Sequence, residues 1–284
     1  MSQTATSHVT TLGGLKARYL RWDNGNDHDT RPAVLMLHGL RSYAGTWAPF
    51  ANQLSTDHQI IAPDFRGRGD SEWDPARNYF LSTYLTDIEE LAAELALPRF
   101  AIVGHSMGGA VGYAYAAAHP EQVTSLIVED IGPGSSTTAP GAERVLREMR
   151  SVPPGFDSID AARHYWRGIR PGIPDAALQS RLDETVLPTE DGRWQWKLDM
   201  TGIAQARLSG DPAGQVDLWK CVEALRCPTL VLRGEQTDFL PVAVCQQMAA
   251  RQPLLRWAEI PGAGHYVHDD NPGDFLRAIQ EFLR

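Results

Sequence analysis

The segment Gly104-His105-Ser106-Met107-Gly108-Gly109 sets one serine among small residues, directly after the apolar run Phe100–Val103. A helix-length stretch of small residues, "MGGAVGYAYAAAH", follows it. A serine at such a handover is either a helix N-cap or a nucleophile that a cramped glycine turn pushes out of the sheet. A strand before and a helix after are the context the second reading needs. The start of that helix also adds partial positive charge where an oxyanion would develop. Serine attacks an acyl carbon well only when a base takes its proton. The base expected here is His265, in "IPGAGHYVHDDNP", where the last apolar strand ends and a closing helix begins.

A third group must orient the imidazole and stabilise it once protonated. Asp130 in "IVEDIGP" and Asp238 in "RGEQTDFLP" both follow predicted strands, and both keep the chain order serine, acid, histidine. The residues leave that choice open. Two backbone N–H donors are needed for an oxyanion. Met107, just after the serine, is one. Leu40 in "HGLRSYAGTW" is the other, with Gly39 allowing the tight turn. His38 reads as a structural hydrogen-bonder. Arg41 reads either as a substrate-binding charge at the pocket mouth or as an ordinary exposed arginine. His268 reads as a solvent-facing loop histidine. His265, His268 and Asp269 have no further ligand at suitable spacing, so no metal is expected. "PDFRGRGDSEW" lacks both phosphate-cradling glycine patterns, so Arg66, Asp70 and Ser71 read as loop-fixing residues. No cofactor is expected.

These residues need a frame that brings them to one edge. "AVLMLHG", "QIIAPD", "FAIVGH", "VTSLIVED" and "PTLVLRG" are continuous apolar runs, as in strands buried on both faces. "LKARYLRW" alternates and suggests an early edge strand, and "NGNDHDTRP" a polar turn. Helical patterns lie between the strands, at Tyr84–Leu97, Met107–His119, Val242–Gln252 and Gly273–Arg284. The alternation predicts an α/β fold, a mostly parallel sheet flanked by helices. It stops after Asp130. Residues from about Ala142 to about Gly210 read as helical, with one brief extended stretch in "DGRWQWKLDM". The expected organisation is a core of residues 1–131 and 211–284, with residues 132–210 inserted as a helical cap. In that cap Trp194 and Trp196 are candidate pocket residues, beside Trp166 and the nearby Trp219. Arg163, Arg167 and Arg170 read either as carboxylate clamps or, with Asp157, Asp160, Asp183 and Glu184 nearby, as part of a solvated mixed surface.

The 284 residues carry 43% hydrophobic and 21% charged residues, a globular composition. A net charge of -9 argues against nucleic-acid binding through a basic surface. No apolar run approaches the roughly 20 residues of a membrane span. The polar start lacks a signal-peptide pattern, and Cys221, Cys227 and Cys245 show no CxxC spacing. The cytoplasm is the expected compartment. Homo-oligomer formation is left open.

Taken together, "HGLRSYAGTW", "DFRGRGDS", "GHSMGG", "RGEQTDFLP" and "GAGHYVHDDNP" resemble the α/β-hydrolase fold family over nearly the whole chain outside the cap. Relatives with aspartate at the nucleophile position are dehalogenases or epoxide hydrolases, and Ser106 departs from them. "VEDIGP" followed by this cap resembles a subgroup of small ester and thioester hydrolases. That resemblance carries the acid to Asp130. Many other relatives imply the later position, Asp238, which sits one residue further from Gly234 than their usual pattern. The resemblance therefore implies a Ser106–His265 hydrolase of a small carboxylic ester, with Asp130 favoured and Asp238 in support. The same machinery would serve a lactone, thioester, amide-type or carbon–carbon bond hydrolase, or a cofactor-free haloperoxidase. A binding-only receptor on this fold is the reading from another class.

Overall fold

The buried runs pair as one sheet because each has apolar side chains on both faces. Ala33, Leu35 and Leu37 point into one hydrophobic layer, and Val34 and Met36 into the other. The computed structural model describes residues 4–23 and 30–284. The polar turn expected at 24–32 lies largely outside the described residues.

In chain order the core elements are β1 (Thr6–Leu12), β2 (Leu15–Trp22), β3 (Ala33–Leu37), α1 (Ala48–Leu54), β4 (Gln59–Pro63), α2 (Leu81–Glu94), β5 (Phe100–His105), α3 (Met107–Ala118) and β6 (Val123–Glu129). Then come α4 (Pro140–Arg150), β7 (Gly155–Phe156), α5 (Ile159–Ile169), α6 (Asp175–Thr185), β8 (Val186–Pro188), β9 (Trp194–Trp196) and α7 (Met200–Ser209). The chain rejoins the core as α8 (Leu218–Ala224), β10 (Thr229–Gly234), α9 (Val242–Arg251), β11 (Leu255–Ile260), α10 (Val267–Asp270) and α11 (Pro272–Leu283).

The large sheet runs β1-β2-β4-β3-β5-β6-β10-β11. β1–β2 and β2–β4 are antiparallel, and every other pair is parallel. One layer carries α2, α3, α8 and α9 through Leu91, Val111, Val222 and Met248. The other carries α1 and α11 through Phe50, Phe275 and Ile279. Burying each large apolar side chain contributes on the order of 1.5–3 kcal/mol. "LKARYLRW" is not an edge strand. β1 takes the edge, and β2 sits between β1 and β4. The polar "TSHVTTL" gave little apolar signal because most of β1 stays exposed or half-buried.

Between β6 and β10 the chain leaves the sheet. Helices α4 to α7 fill most of the gap, as the pattern implied. They enclose a small antiparallel sheet, β7-β9-β8, where only one extended stretch was expected. Trp196 on β9 packs edge-on against Phe156, Tyr165 and Trp166. That cluster is the inserted segment's own core. No helix among the described residues is long and apolar enough to cross a membrane.

Candidate active site

Ser106 stands where β5 hands over to α3, with φ +51 and ψ −115. A positive φ is strained for any residue with a Cβ, and such strain persists only where its surroundings enforce it. Here the Ser106 N–H donates to the Glu129 carbonyl at 2.9 Å, and the Ser106 carbonyl accepts from the Ala110 N–H at 2.9 Å. Helix α3 also sits hard against the neighbouring strand. A Cβ on Gly108 would lie 2.2 Å from the Leu37 carbonyl oxygen. The glycine after the serine is therefore a packing requirement of the turn.

His265 follows β11. Its Nε2 is 2.9 Å from Ser106 Oγ, and its Nδ1 is 2.8 Å from Asp130 Oδ2. Asp130 also has positive φ, +52, at the end of β6. Its carboxylate is completely buried and accepts from the Gly234 N–H at 3.0 Å and from the Thr237 hydroxyl. Burial pushes the Asp130 carboxyl upward, and the Thr237 and Gly234 donors and the Arg233 charge oppose it. Burial pushes His265 down to about 3, so the imidazole stands neutral at pH 7, ready to accept a proton. The Phe239 ring stacks on it at 4.2 Å.

Asp238 goes elsewhere. Arg144 of α4 grips it with Nε at 2.8 Å and Nη2 at 2.9 Å. These bonds hold Asp238 below its usual carboxylate range. Of the two aspartates, the fold thus brings Asp130 to the histidine and gives Asp238 to the inserted helix.

Beneath the histidine lies a cluster that sequence reasoning misread. His268 is not a solvent-facing loop residue. It is buried, its Nδ1 lies 2.7 Å from Glu129 Oε1, and its backbone N–H donates to the same oxygen at 3.0 Å. Desolvation works against its charge, but Glu129 and Asp269 outweigh it and raise its pKa. His105 adds a contact between its Nε2 and the His265 carbonyl at 3.0 Å. Glu129 and His268 each sit within three residues of Asp130 or His265, so this pair binds the two loops together. The ligand atoms of His105, Glu129 and His268 lie within 4.8 Å of one another. His268 Nδ1 faces both Glu129 oxygens, at 2.7 and 2.9 Å, and its Nε2 faces the Thr46 hydroxyl at 3.3 Å. The usable signal was the run "VED", where successive strand residues face opposite ways.

Leu40 and Met107 line one cavity with Ser106 and His265. Its volume is about 250 Å³. Met107 opens α3, where backbone N–H groups have no intrahelical partner. Arg41 also lines the cavity, but it is buried rather than exposed, paired with Glu148 at 2.7 Å. His38 is the expected structural hydrogen-bonder, between the Gly39 carbonyl and the Phe65 N–H. Arg66 binds Asp74 and Asp87, which fixes its loop.

Trp194 and Trp196 are not in the cavity wall. Trp196 is held inside the insert, where its Nε1–H also donates to the Pro153 carbonyl at 2.7 Å. Neither do the three candidate clamps line the cavity. Arg170 pairs with Asp269 and Asp270, Arg167 with Asp175, and Arg163 with Asp160. Arg207, which the sequence did not single out, does line it.

A model of the alpha/beta hydrolase family matches residues 34–278. Among curated proteins, the 2-(acetamidomethylene)succinate hydrolase of Mesorhizobium japonicum is 28% identical, over 92% of this chain and 91% of its own. The 3-hydroxybutyrate-oligomer hydrolase of Cupriavidus necator is 29% identical, over 96% of this chain and 95% of its own. The crystal structure of E-2-(acetamidomethylene)succinate hydrolase superposes with a TM-score of 0.85, at 26% identity, over 99% of both chains.

Proposed function

This chain belongs to the alpha/beta hydrolase family and is a hydrolase, and from that premise we propose that it cleaves a small carboxylic ester through Ser106, His265 and Asp130. The observation that carries the reading is the relay Ser106 Oγ–His265 Nε2 at 2.9 Å and His265 Nδ1–Asp130 Oδ2 at 2.8 Å, opening on one cavity. Ser106 Oγ attacks the ester carbonyl carbon while His265 Nε2 takes its proton. The N–H groups of Leu40 and Met107 hold the oxyanion. Collapse expels the alcohol, which takes the proton back from His265. Water then gives His265 a proton, attacks the acyl-enzyme, and releases the carboxylic acid and free Ser106. Asp130 stabilises the imidazolium at each transfer.

Residues 132–210 are read as a lid, since Ser136, Arg144 and Arg207 from that stretch share the cavity wall with Ser106. Three free cysteines support a reducing compartment, the cytoplasm. The name of the 3-hydroxybutyrate-oligomer hydrolase supports the ester reading.

The test is turnover of p-nitrophenyl acetate. Ser106→Ala and His265→Ala should each lower kcat by about 10⁶-fold, and the double variant no further, because the two act as one unit. Turnover surviving in Ser106→Ala would sink the reading, and a binding-only protein would show none in the parent.

A further inference from the structure

The cavity wall carries three arginines, Arg41, Arg144 and Arg207, and one aspartate, Asp211. Two of the arginines are already neutralised. Arg41 pairs with Glu148, and Arg144 with Asp238 and Glu148. Asp211 is occupied too, accepting from the Ser82 hydroxyl at 2.7 Å and the Ala213 N–H at 2.8 Å. Arg207, on α7, is different. Its Nη2 donates to the Ser136 carbonyl at 2.6 Å, and no carboxylate lies within ion-pair distance of it among the described residues. Desolvation lowers its pKa with no acid opposing the shift, yet a guanidinium stays charged at neutral pH.

A half-buried charge without a partner is expensive unless something else supplies the opposite charge. Here the open side of that charge is the reaction cavity. The guanidinium fork matches a carboxylate with two parallel hydrogen bonds. One uncompensated positive charge suits a monoanion such as a carboxylate better than a dianion. The cavity, about 250 Å³, is below the roughly 300–1,000 Å³ usual for ligand sites, so the acid group must belong to a small substrate.

We propose that Arg207 anchors a free carboxylate of the substrate, so that the ester cleaved is one whose acyl or alcohol part carries a second, ionised acid group. This rests on the ester-hydrolase reading above and adds the substrate class. Arg144 has Nε, Nη1 and Nη2 all on acids, and the charge of Arg41 is already met by Glu148, so neither offers the uncompensated charge that Arg207 does. The Ser136 carbonyl fixes one end of the Arg207 fork and leaves its remaining N–H groups for the ligand.

Two matched pairs of esters test the anchor. One sets the mono-p-nitrophenyl ester of glutarate against p-nitrophenyl pentanoate, with the charge in the acyl part. The other sets the butanoyl ester of p-hydroxybenzoate against phenyl butanoate, with the charge in the alcohol part. The parent enzyme should favour the charged member of one pair in kcat/KM. Arg207→Gln should cut that charged-to-neutral ratio roughly 10- to 150-fold, the range for a hydrogen bond to an ionised group. Arg207→Lys, which keeps the charge but loses the fork, should recover part of it. Calorimetric binding of the glutarate monoester to Ser106→Ala should weaken by a similar factor when Arg207→Gln is added, and this needs no turnover. An equal fall on both members of each pair, or an unaltered ratio, overturns the anchor. Turnover that survives Ser106→Ala overturns the Ser106 ester mechanism instead, while the binding measurement still judges Arg207.

Discussion

The sheet edge and the inserted helices use charge in opposite ways. At the edge, Asp130, Glu129 and His268 are sealed from water, and each is bonded to a residue of another element. In the insert, Arg163 and Arg167 pair with exposed aspartates at the surface, where such pairs are worth about 0–1 kcal/mol. Where the two regions meet, Arg144 ties α4 to Asp238, and Arg170 ties α5 to Asp269 and Asp270. The difference separates tasks. Buried bonds hold Asp130 and the loop of His265 in place, while ion pairs seat the segment that lines part of the cavity. Replacing one group at the edge should abolish chemistry. Replacing one in the insert should change stability or selectivity.

The sharpest contrast is between the two aspartates. Asp130→Asn should lower kcat by roughly 10⁴-fold, because the amide no longer fixes the tautomer or stabilises the imidazolium. Asp238→Asn should cost about 10-fold to 100-fold, since that carboxylate meets His265 only through its field and holds Arg144. Both are measured as kcat at saturating ester, which keeps binding defects out of the comparison. If Asp238→Asn were the dead variant, the line drawn here between edge and insert would be in the wrong place.

A smaller effect is expected inside the insert. Trp196 is 5% exposed and central to its cluster. Trp196→Ala should destabilise by about 3–5 kcal/mol, read by chemical unfolding. Its preference between short and long acyl chains should hold, since Trp196 does not line the cavity. A shifted chain-length profile with stability intact would return this tryptophan to the substrate.

The mildest effect is a pH limb. The base must be unprotonated, so kcat/KM is lost as pH falls through its pKa. Burial lowers the pKa of His265 below the ordinary value of 6.5, which moves the acid limb downward. The parent enzyme should therefore keep most of its kcat/KM on a neutral ester at pH 5. A limb at 6.5 or above would mean that the edge does not desolvate this histidine as its burial implies.

Legibility followed the physics of each element. Strands β3 to β6 and β10 stood out because burial on both faces demands unbroken apolar runs. Strand β1 did not, because most of its residues remain in partial contact with water. Arg41 stayed open between a pocket charge and an exposed arginine, since a sequence cannot show that Glu148, more than 100 residues later, will neutralise it. Trp196 was a pocket candidate because an aromatic pattern is the same whether the ring meets substrate or packs against Phe156.

By itself, then, the sequence determined the layered sheet, the strained turn that presents Ser106, and the histidine loop after the last strand. These depend on local periodicity and on residues within one turn of each other. Tertiary structure alone decided which aspartate reaches His265, that His268 lies beneath it rather than in water, and which arginine in the cavity lacks an acid. Each of those outcomes depends on groups far apart in the chain. Asp130 and Thr237, or Arg144 and Asp238, become neighbours only when β6, β10 and α4 pack, and an ionisable side chain takes its role from the charge and burial that this packing gives it.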